Sequence, residues 1–135
     1  MELAKAAIAA GIVLAVLDAL WLGVIAKNFL VQQLGDKLRQ PLNWPPGLAF
    51  YALYSVALGF FAVSPAMAAG GDWLMALGLG GFLGLVAYGT YDLTNWATLK
   101  GWPPLFAIVD IAWGAAVSAM SSAGGVLLIK ITGVW

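Results

Sequence analysis

The chain has 135 residues, of which 63% are hydrophobic and only 9% are charged. This composition excludes a soluble globular domain, in which about one quarter of the residues are charged. Six Lys and Arg balance six Asp and Glu, so the chain offers no basic surface for nucleic acid, which we do not expect as a partner. The lack of His and Cys removes the usual zinc, iron–sulfur and haem ligands and the catalytic pairs built on His or Cys. We therefore expect a small integral membrane protein with no metal and no cofactor.

Four apolar stretches follow one another along the chain, each close to the roughly 20 residues that a helix needs to cross a bilayer. They lie at about Leu3–Ala26, Pro46–Met67, Trp73–Ala97 and Leu105–Ile129. Continuous apolar runs of this length predict helices, because barrel strands would alternate polar and apolar residues. The predicted fold is an all-α membrane protein, an antiparallel four-helix transmembrane bundle in the lipid bilayer. Residues 1–135 are expected to form a single transmembrane domain.

The connection between the first two spans has a pattern of its own. It carries apolar residues at helical spacing among polar ones, namely Phe29, Leu30, Leu34 and Leu38. This pattern predicts a short amphipathic helix at the membrane interface. Pro45 and Pro46 then favour the start of the second span, because proline at a first helical turn loses no needed donor. The other two connections are short.

The basic residues are unequally divided between the two sides of the predicted bundle. The first and third connections hold Lys27, Lys37, Arg39 and Lys100, whereas the side with the termini holds Lys5 and Lys130. Basic residues near span ends are retained in the cytoplasm. The distribution predicts that both termini lie outside the cytoplasm, which is the periplasmic side in a bacterial cytoplasmic (inner) membrane.

Three of the six acidic residues interrupt the predicted spans: Asp18, Asp92 and Asp110. A charged side chain at the bilayer centre costs about 2.5–3.5 kcal/mol on insertion scales, so such residues normally face the bundle interior and often mark a site. At about 1.5 Å per residue, each lies about 10–14 Å from the same membrane boundary. We expect a cluster of three carboxylates at one depth. The alternative for each is a polar tie that joins two helices by a hydrogen bond.

Aromatic and polar residues accompany these carboxylates. Trp21 follows Asp18, and Trp113 follows Asp110, by three residues. Residues three apart share a helix face, so each indole is expected to shield its carboxylate or to donate its N–H to a nearby acceptor. The other candidate ligand-binding residues surround Asp92 on the third span: Tyr88, Tyr91, Thr94 and Asn95.

Small residues recur at three- and four-residue steps along three of the spans. The third span has Gly80 and Gly84, and the fourth has Gly114 and Ser118. Such spacing lets membrane helices approach closely. On the second span, Tyr51, Ser55 and Gly59 are expected to face the stripe of the fourth span.

Four segments of the chain resemble a known family. They are Leu17–Gly23, Ala87–Asn95, Ala97–Pro103 and Val109–Gly114, and the sequence Tyr-Gly-Thr-Tyr-Asp-Leu-Thr-Asn within the second is the most specific. They look like the bacterial membrane family named domain of unknown function 2177, and the resemblance covers nearly the whole chain. It implies a four-span inner-membrane protein without an assigned activity, and an association with genes for membrane-lipid modification.

Three functions are compatible with these features. The first is a protein that binds or transports a proton, a cation or a small cationic ligand at the aspartates, with the Tyr and Trp rings as aromatic walls. The second is an enzyme or accessory protein of membrane-lipid modification, with Asp92 and Asp110 as acid and base. The third is a structural subunit of a larger membrane complex. We favour the first, for which a homodimer or larger assembly is expected, and we do not favour an enzyme because no nucleophile or cofactor motif is present.

Overall fold

The computed structural model describes residues 1–135, and it contains helices and no strand. Four helices are long and apolar enough to cross a membrane: α1 (Glu2–Ile25), α3 (Trp44–Ala68), α4 (Trp73–Thr98) and α5 (Pro104–Thr132). The short helix α2 (Lys27–Leu34) lies between the first two of them. The predicted all-α bundle with a short additional helix is therefore confirmed.

The hairpin between α3 and α4 is tight because its backbone conformation is set by two glycines. Gly70 and Gly71 have φ angles of 87° and 81°, a left-handed conformation that only glycine adopts at little cost. Asp72 then caps α4, since its carboxylate accepts the backbone N–H groups of Leu74 and Met75, both at 3.1 Å. The Lys130 ammonium donates to the Gly71 carbonyl at 3.3 Å and so attaches the end of α5 to this hairpin.

The helix α3 contains a wider, π-helical turn at Gly59–Val63, shortly before Pro65. Proline has no N–H to donate to the carbonyl four residues earlier, and its ring crowds that carbonyl. A local change of helical pitch is a common response to such an interruption. A second π-helical turn, Trp21–Ile25, ends α1.

Ser55 and Gly59 of α3 pack closely against α1. A Cβ atom on Gly59 would lie 2.7 Å from the backbone nitrogen of Ala7, and one on Gly11 would lie 2.7 Å from the Ser55 hydroxyl oxygen. The expectation that Ser55 and Gly59 face the stripe of the fourth span is therefore wrong. The reason is that this face of α3 meets glycine and alanine on α1, where a close approach is possible.

The helix α5 lies between α4 and α1 and contacts both through glycine. On the α4 side, a Cβ atom on Gly80 would lie 2.6 Å from the carbonyl oxygen of Ser118. On the α1 side, a Cβ atom on Gly125 would lie 3.1 Å from the backbone nitrogen of Ala10. Fully buried aliphatic side chains fill the rest of the centre: Leu14, Leu58, Val63, Val117 and Val126.

The short helix α2 ends earlier than its apolar pattern predicts. It stops at Leu34, where Gly35 takes a φ angle of 51°. Leu38 lies beyond the break in extended backbone, with φ −72° and ψ 128°. The expected helical register from Phe29 to Leu38 is therefore wrong at its last member, because Gly35 interrupts the helix.

Candidate functional site

The three aspartates within the long helices lie toward the same end of the bundle, the end that carries α2. Asp18 is seven residues from the end of α1, and Asp92 and Asp110 are each six residues from the nearer end of α4 and α5. At about 1.5 Å per residue, each is roughly 10 Å along its helix from that end. The bundle thus brings the three to a similar level.

Asp18 is buried and fully engaged by hydrogen bonds. Its carboxylate accepts the hydroxyl of Tyr51 on α3 and the indole Nε1–H of Trp113 on α5, the latter at 3.1 Å. Only 7% of the residue is exposed. These bonds join three helices through a single carboxylate, which is the geometry of a polar tie.

The two Asp-x-x-Trp segments pack against each other across the interface between α1 and α5. The rings of Trp21 and Trp113 stack with their centroids 4.3 Å apart and their planes at 7°. Trp113 donates its N–H to Asp18 on the opposite helix and not to the carboxylate of its own segment. Of the two roles expected for these indoles, donation to a nearby acceptor is the one that Trp113 adopts.

Asp92 is the most deeply buried of the three carboxylates. It has no exposed surface, and neither of its carboxyl oxygens has a hydrogen-bond partner. Polar groups beside it are the carboxyl group of Asp110 and the indole of Trp102, whose Nε1–H is likewise buried without a partner. Buried polar atoms without partners are costly and rare in proteins, so this position requires a chemical explanation.

Asp110 opens into a pocket with aromatic walls. The pocket has a volume of about 320 Å³ and is lined by Phe50, Ala87, Tyr88, Tyr91 and Asp110. Further rings support these walls: Tyr54 stacks on Phe50, and Trp102 meets Tyr91 edge to face with 5.8 Å between centroids. Aromatic faces beside a carboxylate form a surface suited to a positive charge.

No basic side chain balances the charge of these carboxylates. The single ion pair of the structure joins Lys5 to Glu2 near the amino terminus. No group of three His, Cys, Asp or Glu side chains is placed to hold a metal ion. Asp92 and Asp110 are neighbours, and Asp18 lies close enough to Asp110 to act on its charge while it accepts its own two donors. The expected cluster of three carboxylates stays a prediction.

The chain matches one family of membrane proteins. The family model described as "Predicted membrane protein (DUF2177)" matches residues 3–127. The chain belongs to this family. No curated protein and no solved structure is significantly similar to the chain. The DUF2177 assignment and the four candidate spans identify a membrane protein, and the matched range contains all three aspartates and every residue that lines the pocket.

The other candidate residues of this DUF2177 protein divide into two groups. Tyr88 and Tyr91 line the pocket with Asp110. Thr94 lies on the exposed surface of α4 and donates its hydroxyl to the Thr90 carbonyl of its own helix. Asn95 is half-buried one turn from Asp92 but forms no hydrogen bond to it. Neither Thr94 nor Asn95 belongs to the pocket wall.

Three residues of the candidate site are not predicted as site residues by the sequence pattern: Phe50, Tyr51 and Trp102. Phe50 and Tyr51 reside in an apolar run without a charge to mark them. Tyr51 lies seven residues from the start of α3, close to the six or seven residues that separate each aspartate from its helix end. This depth is the signal that points to it. Trp102 resembles an interfacial tryptophan in the sequence, but its ring turns inward to Tyr91 and Phe106.

Proposed function

We propose that this membrane protein binds a small organic cation at Asp110, between the rings of Phe50, Tyr88 and Tyr91. The observation that carries the proposal is the pocket itself, which combines three aromatic side chains with one carboxylate. Quaternary and other organic cations are recognised by this combination of groups in proteins generally. Trp21 and Trp113 serve the tie at Asp18, not the pocket.

The electrostatics of the pocket favour a cation over an anion or a neutral molecule. A carboxylate in a low-dielectric site is stabilised by an opposite charge far more than it would be in water. Lys27 and Lys100 lie near the same end of the bundle in the sequence, and neither forms an ion pair with Asp110. An external cation therefore meets no competing ammonium group from the chain.

The size of the pocket limits the ligand to a small molecule. A volume of about 320 Å³ is at the lower end of the range for ligand pockets, about 300–1,000 Å³. A compact ammonium ion such as choline fits this limit. Choline serves here as a probe of the chemical class.

Asp18, Asp92 and Asp110 are proposed to lie within the bilayer of the inner membrane, so that a bound cation is held inside the membrane. Transport of that cation across the bilayer would require the protein to form a homodimer or a larger assembly, because a four-helix chain encloses no continuous pathway by itself.

Calorimetric titration with choline tests the proposed binding. The protein in an uncharged detergent is titrated with choline and with 3,3-dimethyl-1-butanol, a neutral molecule of the same shape. We expect choline to bind and the neutral analogue to bind at least about tenfold more weakly, a difference of about 1.4 kcal/mol or more. Equal affinities for the two molecules would contradict a cation site.

Two carboxylate variants locate the binding. Asp110→Asn removes the charge within the pocket at nearly constant volume, and we expect choline binding to fall below detection. Asp36→Asn, in the exposed turn after α2, is the matched control and is expected to bind choline as the unmodified protein does. Unchanged binding by the Asp110→Asn protein would place the cation elsewhere.

A structural role is the second candidate, and it applies to Asp18 alone. The hydrogen bonds from Tyr51 and Trp113 satisfy this carboxylate within the protein. Asp18 therefore needs no ligand, and we propose that it holds α1, α3 and α5 together beside the pocket.

A further inference from the structure

We infer that Asp92 keeps a proton at neutral pH and donates it to the carboxylate of Asp110, so that the pair presents one negative charge to a monovalent cation. This inference deepens the proposed function, because it assigns Asp92 as the residue that positions and supports the cation-binding carboxylate. Asp92 itself does not line the pocket.

The complete burial of Asp92 favours a protonated carboxyl group. The residue is completely buried, and both carboxyl oxygens lack a hydrogen-bond partner among the protein's donors. An ionised carboxylate in that position would have neither water nor a basic side chain to stabilise it. A protonated carboxyl group avoids that cost, since it is neutral and has a hydrogen to donate.

Asp110 supplies an acceptor for the proton of Asp92. The carboxyl group beside it belongs to Asp110, which can accept a hydrogen bond when ionised. Two adjacent carboxylates in an apolar environment repel each other unless a proton or a cation lies between them. The indole N–H of Trp102, which is also without a partner, lies beside Asp92 and is available to its remaining oxygen.

The surroundings contain no positive group that would remove this requirement. The titratable groups that face the pair come from two helices, and none of them is basic: Asp18 on α1, and Tyr88 and Tyr91 on α4. A proton on the pair is the remaining way to reduce its charge.

The difference in exposure between the two residues assigns the proton to Asp92. Asp110 lines the pocket and is partly exposed there, so it is the member that can meet a cation. Asp92 lies behind it and meets neither solvent nor the pocket. The pair therefore acts as one carboxylate with a hydrogen-bond donor behind it, and it balances a single positive charge.

Infrared spectroscopy tests the proton directly and needs no ligand. The unmodified protein at neutral pH is expected to show the C=O stretching band of a protonated carboxylic acid, which shifts on exchange into heavy water. Asp92→Asn is expected to remove this band, and Asp36→Asn is expected to leave it. If the acid band persists in the Asp92→Asn protein, the inference is overturned, whether or not choline binds.

Choline affinity tests the donor role of Asp92. Asn has nearly the same shape as a protonated Asp and supplies an N–H donor, so Asp92→Asn is expected to bind choline within about threefold of the unmodified protein. Leu supplies no hydrogen-bond donor. Asp92→Leu is therefore expected to bind choline at least about tenfold more weakly, which corresponds to the loss of a hydrogen bond to a charged group. A similar loss of binding in both variants would contradict the donor role.

The two proposals fail in different ways. If the unmodified protein does not bind choline, the proposed function fails, while the infrared band still decides the state of Asp92. If choline binds but Asp92→Asn leaves the acid band unchanged, the cation site stands and the protonated Asp92 is excluded. If Asp92→Leu does not fold, the band in the unmodified and Asp92→Asn proteins still gives the answer.

Discussion

At the scale of single residues, the site contains two kinds of carboxylate that the sequence does not distinguish. Asp18 and Asp110 stand in similar segments, each with Trp three positions later. In the folded chain, Asp18 receives two donors from other helices, whereas Asp110 faces an aromatic pocket. The difference arises from the neighbouring helices and not from the local sequence, so Asp18 has the geometry of a tie and Asp110 is the proposed ligand-binding group.

Removal of the indole donor of Trp113 is expected to destabilise the bundle. Trp113→Phe keeps an aromatic ring against Trp21 but removes the N–H bonded to Asp18. We expect the free energy of unfolding in detergent to fall by about 1 kcal/mol, the usual magnitude for such a bond. Trp21→Phe alters the same stack without removing a bond to Asp18, and should cost less. Equal losses in the two variants would argue against the tie.

The ring of Tyr91 is expected to matter for cation binding, and its hydroxyl is not. Tyr91→Phe keeps the aromatic face toward the pocket and should bind choline nearly as the unmodified protein does. Tyr91→Leu removes the face, and we expect a loss of about 0.5–2 kcal/mol in binding free energy, the range for a cation–π contact. Calorimetric titration measures both. Tyr91→Phe binding as weakly as Tyr91→Leu would show that the aromatic face is not what recognises the cation.

At the scale of elements, the close contact of α4 and α5 positions the pocket. A Cβ atom on Gly84 would lie 2.6 Å from the Ser118 Cβ and would also overlap the Gly114 carbonyl oxygen. Gly114 in turn leaves room for the ring of Tyr88. The tyrosine wall of the pocket therefore depends on helices that approach closely through glycine.

Gly84→Ala is expected to separate α4 from α5 and to destabilise the protein. Overpacking of a tight contact typically costs about 1–3 kcal/mol, and we expect a corresponding fall in the thermal midpoint in detergent. Gly78→Ala lies on the same helix with no atom within 4 Å of the added methyl group. This control should be neutral or slightly more stable, because Ala favours helices. Loss of stability in both variants alike would indicate a general effect of helix substitution.

At the scale of the whole molecule, the four long helices and their approximate limits follow from the sequence, because length and hydropathy determine what crosses a bilayer. The level of Asp18, Asp92 and Asp110 follows from counting residues to the span ends. The sequence does not determine which helix each face packs against. Periodicity shows which face of α3 carries Ser55 and Gly59, but only the close approach of Ala7 and Gly11 on α1 determines where that face lies.

The residues that line the aromatic pocket are likewise only partly predictable from the sequence. Tyr88 and Tyr91 lie near Asp92 in the sequence and are predictable as its neighbours. Phe50 comes from a helix more than thirty positions earlier, and no periodic pattern links it to Asp110. Thr94 and Asn95 are close to Asp92 in the sequence, yet Thr94 is exposed on the surface of the helix and neither residue lines the pocket. Helix rotation, which hydropathy does not fix in an apolar span, decides these cases.

The orientation of the molecule can be measured because the natural chain has no cysteine. Single cysteines at Val134 and at Asp36 report on the two ends of the bundle. From the distribution of Lys and Arg, we expect a membrane-impermeant maleimide to label Val134→Cys in intact cells and to label Asp36→Cys only after lysis. The reverse labelling pattern would place the termini in the cytoplasm.

The proposed cation site is tested most directly by locating a bound cation in the protein. Choline with labelled methyl groups is added to protein in which only the four Tyr rings are labelled, and magnetisation transfer between methyl and ring protons is measured. We expect contacts to Tyr88 and Tyr91 that disappear in the Asp110→Asn protein. Contacts to no Tyr ring, or contacts that persist without the Asp110 charge, would contradict a cation site at Asp110.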